Sequence, residues 1–205
     1  AFAESDSLAE LEANYRRHFR AAVQVTAQGI DFHLDHQYLN EPELLLNLLS
    51  HGPIEKGKDV SHGGAAYYNM AIDGAGLAVV ADSFGALEER VAQEKALTFA
   101  EVKAAVAANF AGEDGERIRL LDASGRYGRG GTAADRWAVR LTEILNEEIA
   151  GHTTPHGFKL IPGWFTWADT IRFGKAVGAT PNGRKAGEPI SHGANPLPGF
   201  RKDGA

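Results

Sequence analysis

Apolar residues recur every three or four positions in several stretches of the chain, which is the spacing of a helix that buries one face. The first stretch opens with a capping box at Ser7–Glu10, and its helix is predicted to end near Gly29. A second, short helix is predicted over 44–49, with Asn40 as its cap and Pro42 in its first turn. Three longer helices are predicted over 77–91, 98–110 (opened by a Thr98–Glu101 capping box) and 132–150.

Shorter apolar runs predict the strands. One run covers Ala65 to Ile72, and another covers Phe158 to Trp167. Thr170 to Val177 is predicted to be extended as well, and it leads into a tight turn at Thr180–Gly183. The order of these elements favours an α/β or mainly helical layered fold without internal repeats.

Composition excludes several functional classes. The chain has 205 residues, of which 43% are hydrophobic, so it corresponds to about one domain with a substantial core. Its 21 basic and 27 acidic residues leave a net charge of −6, which argues against nucleic acid or an anionic membrane as a partner. No apolar stretch approaches the roughly 20 residues that cross a bilayer, so we expect a cytoplasmic location. The absence of cysteine excludes disulfides, cysteine-ligated metals and thiol catalysis by this chain alone.

Three polar motifs have a structural interpretation beside a functional one. Asp31–His36 holds two imidazoles and two carboxylates, as in a metal site, but His33 and His36 are not spaced to stack on one helix face. Asp82–Ser83 lies inside a predicted helix and lacks the elbow of a serine hydrolase. Gly125–Gly131 precedes a helix and could receive an anion, although a structural turn is favoured.

Two aromatic runs beside glycine suit a closed, largely apolar pocket with a few oriented hydrogen bonds. They are Tyr67 to Ile72 and Trp164 to Trp167. Ordinary core packing is the alternative for each of these side chains.

Six short segments together resemble the pyruvate formate-lyase domain of glycyl radical enzymes. In chain order they are Ile54–Asp59, Gly63–Asn69, Gly76–Ser83, Arg126–Gly128, Gly178–Pro189 and Gly193–Pro196. Each is short, but their order along the chain makes the resemblance specific. One position departs from the family pattern, because Arg129 stands where the family usually has Asn.

The resemblance implies an α/β fold that is part of a ten-stranded barrel, with strands of the second half-barrel and their covering helices. In that family a glycyl radical on one loop takes hydrogen from a cysteine on another, and the thiyl radical then attacks a small-molecule substrate. The resemblance further implies two protein partners, a radical S-adenosylmethionine activating enzyme and a second copy in a homodimer. It also implies anaerobic metabolism.

The cysteine loop and the radical loop of the family are both missing from the sequence. We therefore expect the first to precede Ala1 and the second to follow Ala205, so that 1–205 is a partial domain, incomplete at both ends. It would hold no catalytic residue, metal or cofactor of its own. It would form barrel wall and substrate pocket in a lyase, dehydratase or formate acetyltransferase-like enzyme.

The resemblance also implies which residues bind the substrate. The family's pocket uses the strand after the Gly-Gly-Ala motif and the strand before the Thr180 turn. Carried over to this chain, these positions are Tyr68, Asn69, Met70, Ile72, Trp164 and Thr166. Alternation along each strand decides which of them face the pocket, and the register is open.

Two other functions stay open at this point. One is a freestanding, non-catalytic binding or structural protein that kept this part of the fold. The other is a metal hydrolase that uses His33 and His36. The substrate is not indicated, although the aromatic run at Trp164 suits a bulky or apolar molecule.

Overall fold

The computed structural model describes residues 1–166 and 168–198, which form a mixed structure of helices and strands. The regular elements are, in chain order, α1 (Leu8–Asn40), α2 (Leu44–Leu49), α3 (Pro53–Lys56), β1 (Met70–Gly74), α4 (Leu77–Leu87), α5 (Phe99–Ala107), α6 (Asp114–Leu121), α7 (Ala133–Ala150), β2 (Leu160–Trp164) and α8 (Thr170–Ala176). The two strands are hydrogen-bonded neighbours in a two-stranded sheet. A π-helical turn at Glu88–Gln93 continues α4.

The chain divides into two compact units. The larger unit comprises residues 1–18, 73–145 and the described residues from Gly163 onward. The smaller unit comprises residues 19–72 and 146–162. Each unit collects segments that are distant in sequence, so neither is a simple continuous domain.

The core of the larger unit is built around α4. Its apolar residues fall at helical spacing, and almost the whole helix is buried. Phe84 is 2% exposed, stacks on Trp137 with ring centroids 4.3 Å apart, and meets the edge of Tyr15 at 6.4 Å. Gly85 permits close approach of α7, because a Cβ there would lie 3.0 Å from the Cβ of Ala134. Burial of each large apolar side chain contributes about 1.5–3 kcal/mol.

Helix caps predicted from local sequence are present. Thr98 Oγ1 accepts a hydrogen bond from Glu101 N at 3.2 Å, and the Glu101 carboxylate accepts one from Thr98 N at 2.6 Å. At the start of α1, Ser7 Oγ accepts from Glu10 N at 3.2 Å, while the Glu10 carboxylate accepts from Asp6 N. In this second capping box, the glutamate therefore bonds the backbone N–H of Asp6, one residue before Ser7.

The predicted end of the first helix near Gly29 is wrong, because α1 continues to Asn40. Glycine in a helix interior costs about 1 kcal/mol relative to alanine, which burial of one face can offset. Val23, Ala27 and Asp31 are four residues apart and at most 4% exposed. The predicted Asn40 cap is also wrong, since Glu43 precedes α2.

Thr170 to Val177 is helical rather than extended, so that prediction is wrong as well. Its β-branched and aromatic residues favour strands locally, but tertiary packing overrides such preferences. Thr170 and Gly174, one turn apart, are buried in α8. A Cβ on Gly174 would lie 2.2 Å from the carbonyl oxygen of Glu188, so the helix packs directly against that backbone. Helix α6 had no counterpart in the sequence prediction.

Both strands differ in extent from their predictions. β1 begins at Met70, later than the predicted start at Ala65, and runs on to Gly74. β2 occupies the middle of the predicted Phe158–Trp167 run, whose last residue lies outside the described part of the chain. Two strands are observed in the described ranges, so the ten-stranded barrel stays a prediction. None of the helices in these ranges combines the length and apolar character needed to cross a bilayer.

Candidate functional site

Tyr68, the first expected substrate contact, has its hydroxyl engaged within the smaller unit. The hydroxyl donates to Val60 O at 2.5 Å and accepts from Gly63 N at 2.6 Å. Its ring lies 5.3 Å from that of Phe158. Tyr68 thus ties down the glycine-containing loop that leads into β1.

Asp59 holds the start of the same loop. Its carboxylate accepts hydrogen bonds from Ser61 N, Asn47 Nδ2 and Glu43 N at 2.7–2.9 Å. Partial desolvation acts to raise the pKa of this carboxyl, but the hydrogen bonds have the larger effect and lower the pKa to about 2. Asp59 is therefore ionised at any physiological pH and serves as a fixed anchor.

The other three expected residues of the smaller unit differ in exposure. Asn69 is exposed, whereas Met70 and Ile72 are half-buried along the strand. Met70 faces a groove of about 350 Å³. The remaining residues of that groove are Thr26, Gly29, Ile30, His33 and Leu34. Its lining is almost entirely apolar, so it favours an apolar group over a polar one.

Trp164 and Thr166 lie in the larger unit. The indole of Trp164 donates from Nε1 to Thr142 Oγ1 at 3.1 Å and packs against the hydrophobic core. A Cβ on Gly74 would lie 2.3 Å from the Trp164 ring, so glycine is required there. Thr166 is exposed, and its hydroxyl is available to a neighbour.

The larger unit contains a buried ion pair that the sequence did not indicate. Asp82 of α4 is 2% exposed and Arg126 is 4% exposed, with 3.7 Å between Oδ2 and Nη1. Asp82 Oδ1 also accepts from Tyr127 N at 2.8 Å. Burial raises the pKa of Asp82 to about 6 despite the cation, and burial lowers the pKa of Arg126. Asp82 and Arg126 lie in two of the segments that carry the family resemblance, Gly76–Ser83 and Arg126–Gly128, but no sequence pattern indicated that they pair.

The turn at Thr180–Arg184 is built around two buried polar side chains. Asn182 is fully buried, and its Oδ1 accepts from Thr180 Oγ1 at 2.7 Å and from Arg184 N at 3.3 Å. Arg184 is 3% exposed and donates to four backbone carbonyls. These acceptors are Val177 O, Gly178 O, Lys185 O and Glu188 O. The predicted turn is present, and its Asn and Arg form its internal framework.

The glycine loop before α7 is filled by the protein's own carboxylates. Glu89 accepts from Ser124 N and Gly125 N at 3.0 Å. Asp135 accepts from Gly128 N at 2.7 Å. These contacts support the structural turn over an anion site.

In the part of the chain that the structure describes, His33 and His36 are not grouped with further side chains that could hold a metal ion. His36 Nδ1 lies 2.7 Å from Phe32 O, in the preceding turn of α1. Over residues 1–166 and 168–198, no three His, Asp or Glu side chains are placed to hold a metal ion. The metal-hydrolase alternative gains no support from these residues.

Comparison with known proteins gives one consistent family. The sequence model described as pyruvate formate lyase-like matches residues 1–174. The trans-4-hydroxy-L-proline dehydratase of Clostridioides difficile is 30% identical over 151 residues, which cover 74% of this chain and 19% of the dehydratase. The (2S)-3-sulfopropanediol dehydratase of Klebsiella oxytoca is 33% identical over 144 residues, which cover 69% of this chain and 17% of that enzyme.

The solved structure of a glycyl radical enzyme from Archaeoglobus fulgidus superposes on this fold with a TM-score of 0.87 at 29% identity. The match covers 98% of this chain and 26% of that structure. The chain thus spans about a fifth of the length of the curated relatives that it matches. Because the family pattern extends from residue 1 to 174 and the fold agrees along nearly the whole chain, this protein belongs to the pyruvate formate lyase-like family.

Proposed function

We propose that this chain forms part of the catalytic domain of a glycyl radical dehydratase, where it supplies barrel wall and part of the substrate pocket. The observation that carries the proposal is the family match over residues 1–174, together with two dehydratases among the relatives of those same residues. The pairing of β1 with β2 would be one element of the barrel wall.

The chain has no residue that can form the thiyl radical of the family. A thiyl radical needs a thiol, and the sequence contains one methionine and no cysteine. The reacting cysteine and the radical-bearing glycine would therefore belong to polypeptide other than these residues. A radical S-adenosylmethionine activating enzyme and a second copy of the complete subunit are its proposed protein partners.

The proposed role of this chain is to bind and orient the substrate. Asn69 and Thr166 are exposed and can exchange hydrogen bonds with hydroxyl groups. Met70 and Ile72 offer apolar contact, and Tyr68 fixes the glycine loop that precedes them. In the larger unit, Trp164 is held by its hydrogen bond to Thr142. Such a frame would exclude water and hold polar contacts in place.

The proposed substrate class is a small hydroxylated molecule that loses water. Both named relatives are dehydratases, and the names of their substrates include a hydroxyl group or a diol. In the smaller unit, the exposed side chain of Asn69 and the mainly apolar groove at Met70 suit a short molecule with a polar and an apolar end.

A chimera tests the proposal. The matched segment of the Clostridioides difficile hydroxyproline dehydratase is replaced by residues 1–174 of this chain, and the product is activated without oxygen by its activating enzyme. We expect the glycyl radical signal in electron paramagnetic resonance and a changed ranking of kcat/KM among hydroxyproline, glycerol and short diols. A chimera with full radical content and the unchanged substrate ranking of its parent would contradict the pocket role.

Single variants of that chimera locate the contacts. Asn69→Ala or Thr166→Ala is expected to lower kcat/KM about two- to tenfold, which corresponds to one net hydrogen bond of about 0.5–1.5 kcal/mol. Arg172→Ala, at an exposed position of α8, is the control and should leave kcat/KM unchanged. Equal effects of all three variants would point to a general structural disturbance and against the pocket role.

A further inference from the structure

A cleft of about 400 Å³ lies in the larger unit, and none of the six residues expected to contact substrate is among its lining residues. It opens between α6, α8 and the chain that follows the Thr180–Arg184 turn. Its volume falls within the range of small-molecule sites, about 300–1,000 Å³.

The lining of the cleft combines apolar and charged side chains. The apolar side chains are Leu121, Pro189, Ile190, Leu197 and Pro198. The charged and polar side chains are Arg117, Arg184, Glu188, Thr170 and His192. A ligand with one anionic end and a short apolar body would match both sets of side chains.

Arg184 gives the cleft a buried and incompletely satisfied cation. The side chain is 3% exposed, and its terminal nitrogens donate to four carbonyls of the turn. Its Nε has no hydrogen-bond partner in the described structure, and neither do the fully buried Asn182 Nδ2 and Ser191 Oγ. Buried donors without an acceptor are costly, so this turn favours the approach of negative charge.

Arg117 is the cation that a ligand can reach. Its side chain is 26% exposed, and its Nε donates to Gly183 O at 3.0 Å. Its Nη2 is 3.8 Å from Glu188 Oε1, which is a loose ion pair with a half-exposed carboxylate. A guanidinium has five N–H donors in a planar fork that matches the two oxygens of a carboxylate, so Arg117 retains donors for a ligand.

We propose that this cleft binds a short-chain organic monocarboxylate, with the carboxylate on Arg117 and the alkyl part against Leu121 and Ile190. Glu188 competes with the ligand for the same guanidinium. Removal of the Glu188 charge therefore strengthens binding, whereas removal of the Arg117 charge weakens it. The test of this site does not use the radical chemistry proposed above, because it measures binding to the chain alone.

The test is a calorimetric titration of the 205-residue chain with butyrate, with its neutral analogue butyramide, and with inorganic phosphate. We expect saturable binding of butyrate, at least tenfold weaker binding of butyramide, and weaker binding of phosphate, which lacks the apolar part. Equal affinity for butyrate and butyramide, tighter binding of phosphate, or no saturable binding of butyrate would overturn the proposal.

Variants assign the contacts. Arg117→Gln is expected to weaken butyrate binding about ten- to a hundredfold, the loss typical of a charge-assisted hydrogen bond. Glu188→Gln should tighten it several-fold, because the amide keeps an acceptor for Lys185 N and loses the competing charge. Arg172→Gln removes an exposed arginine that does not line the cleft and should change nothing. If Arg117→Gln fails to fold, the Glu188 variant decides alone, and unchanged or weaker binding there contradicts the proposal.

Discussion

Asp82 is expected to make the stability of the larger unit depend on pH. Its pKa is raised by burial from 3.8 to about 6. The folded state therefore binds the proton more tightly than the unfolded state. The contribution of Asp82 to the stability of the folded state is fully present below pH 3.8 and is lost as the pH rises through about 6. A rise of about 2 pKa units corresponds to about 3 kcal/mol of unfolding free energy.

Asp82→Asn removes this titration. The amide oxygen can still accept the hydrogen bond from Tyr127 N, while the buried Arg126 loses its counter-charge. The absolute stability of the variant is therefore expected to fall, because removal of one partner of a buried ion pair costs about 3–5 kcal/mol. The informative quantity is the change in unfolding free energy between pH 4 and pH 7.5. That change should differ between the two proteins by about 3 kcal/mol.

The assay is urea unfolding at several pH values, followed by tryptophan fluorescence. Trp137 reports on the right region, because it stacks on Phe84 in the same core as Asp82. Asp114→Asn is the control, because it makes the same substitution at an exposed position of α6 in the same unit. Parallel pH profiles of the wild type and Asp82→Asn between pH 4 and 7.5 would refute the reasoning.

Three further substitutions test the packing. Gly174→Ala should destabilise the larger unit by about 1–3 kcal/mol in urea unfolding, because its Cβ would meet Glu188 O at 2.2 Å. Gly178→Ala is the control and should not destabilise it, because the space around Gly178 is open. Tyr68→Phe should cost about 1 kcal/mol and speed proteolysis between Val60 and Gly64, since both bonds of its hydroxyl are lost; unchanged proteolysis would contradict this anchor. Leu45 has a side chain that is 69% exposed, so Leu45→Asp should lower the binding of an apolar dye and leave the free energy of unfolding unchanged within about 0.5 kcal/mol. Undiminished dye binding would contradict this expectation.

Predictions from sequence succeeded where the cause was local. The Thr98–Glu101 box involves residues within one helical turn, so the pattern alone placed the start of α5. Glycines at 125–131 and the Pro-Asn-Gly run at 181–183 were correctly assigned to turns. The same logic failed at Gly29, where local propensity predicts an end and burial of one helix face continues α1.

The six expected pocket residues came from resemblance, and they stay a prediction. The structure adds that these six residues differ in exposure and in hydrogen bonding. Asn69 and Thr166 are exposed, while Trp164 and Tyr68 have their polar atoms engaged with protein partners. No periodicity could have shown this, because the partner of Trp164 lies on α7, in a different segment of the chain.

The amino-acid sequence by itself determined the family, the helix caps at Ser7 and Thr98 and the absence of a thiol, since each depends on residue identity or on neighbours within a few positions. Only the tertiary structure decided which carboxylates titrate near neutrality. Asp82 and Asp135 are the same residue type, yet burial raises one pKa while hydrogen bonds lower the other. The cleft at Arg117 and Arg184 likewise exists only in the fold, because long-range packing brings α6 and the turn together. Desolvation sets the pKa of Asp82 and long-range packing forms the cleft, and neither can be derived from neighbouring positions in the sequence.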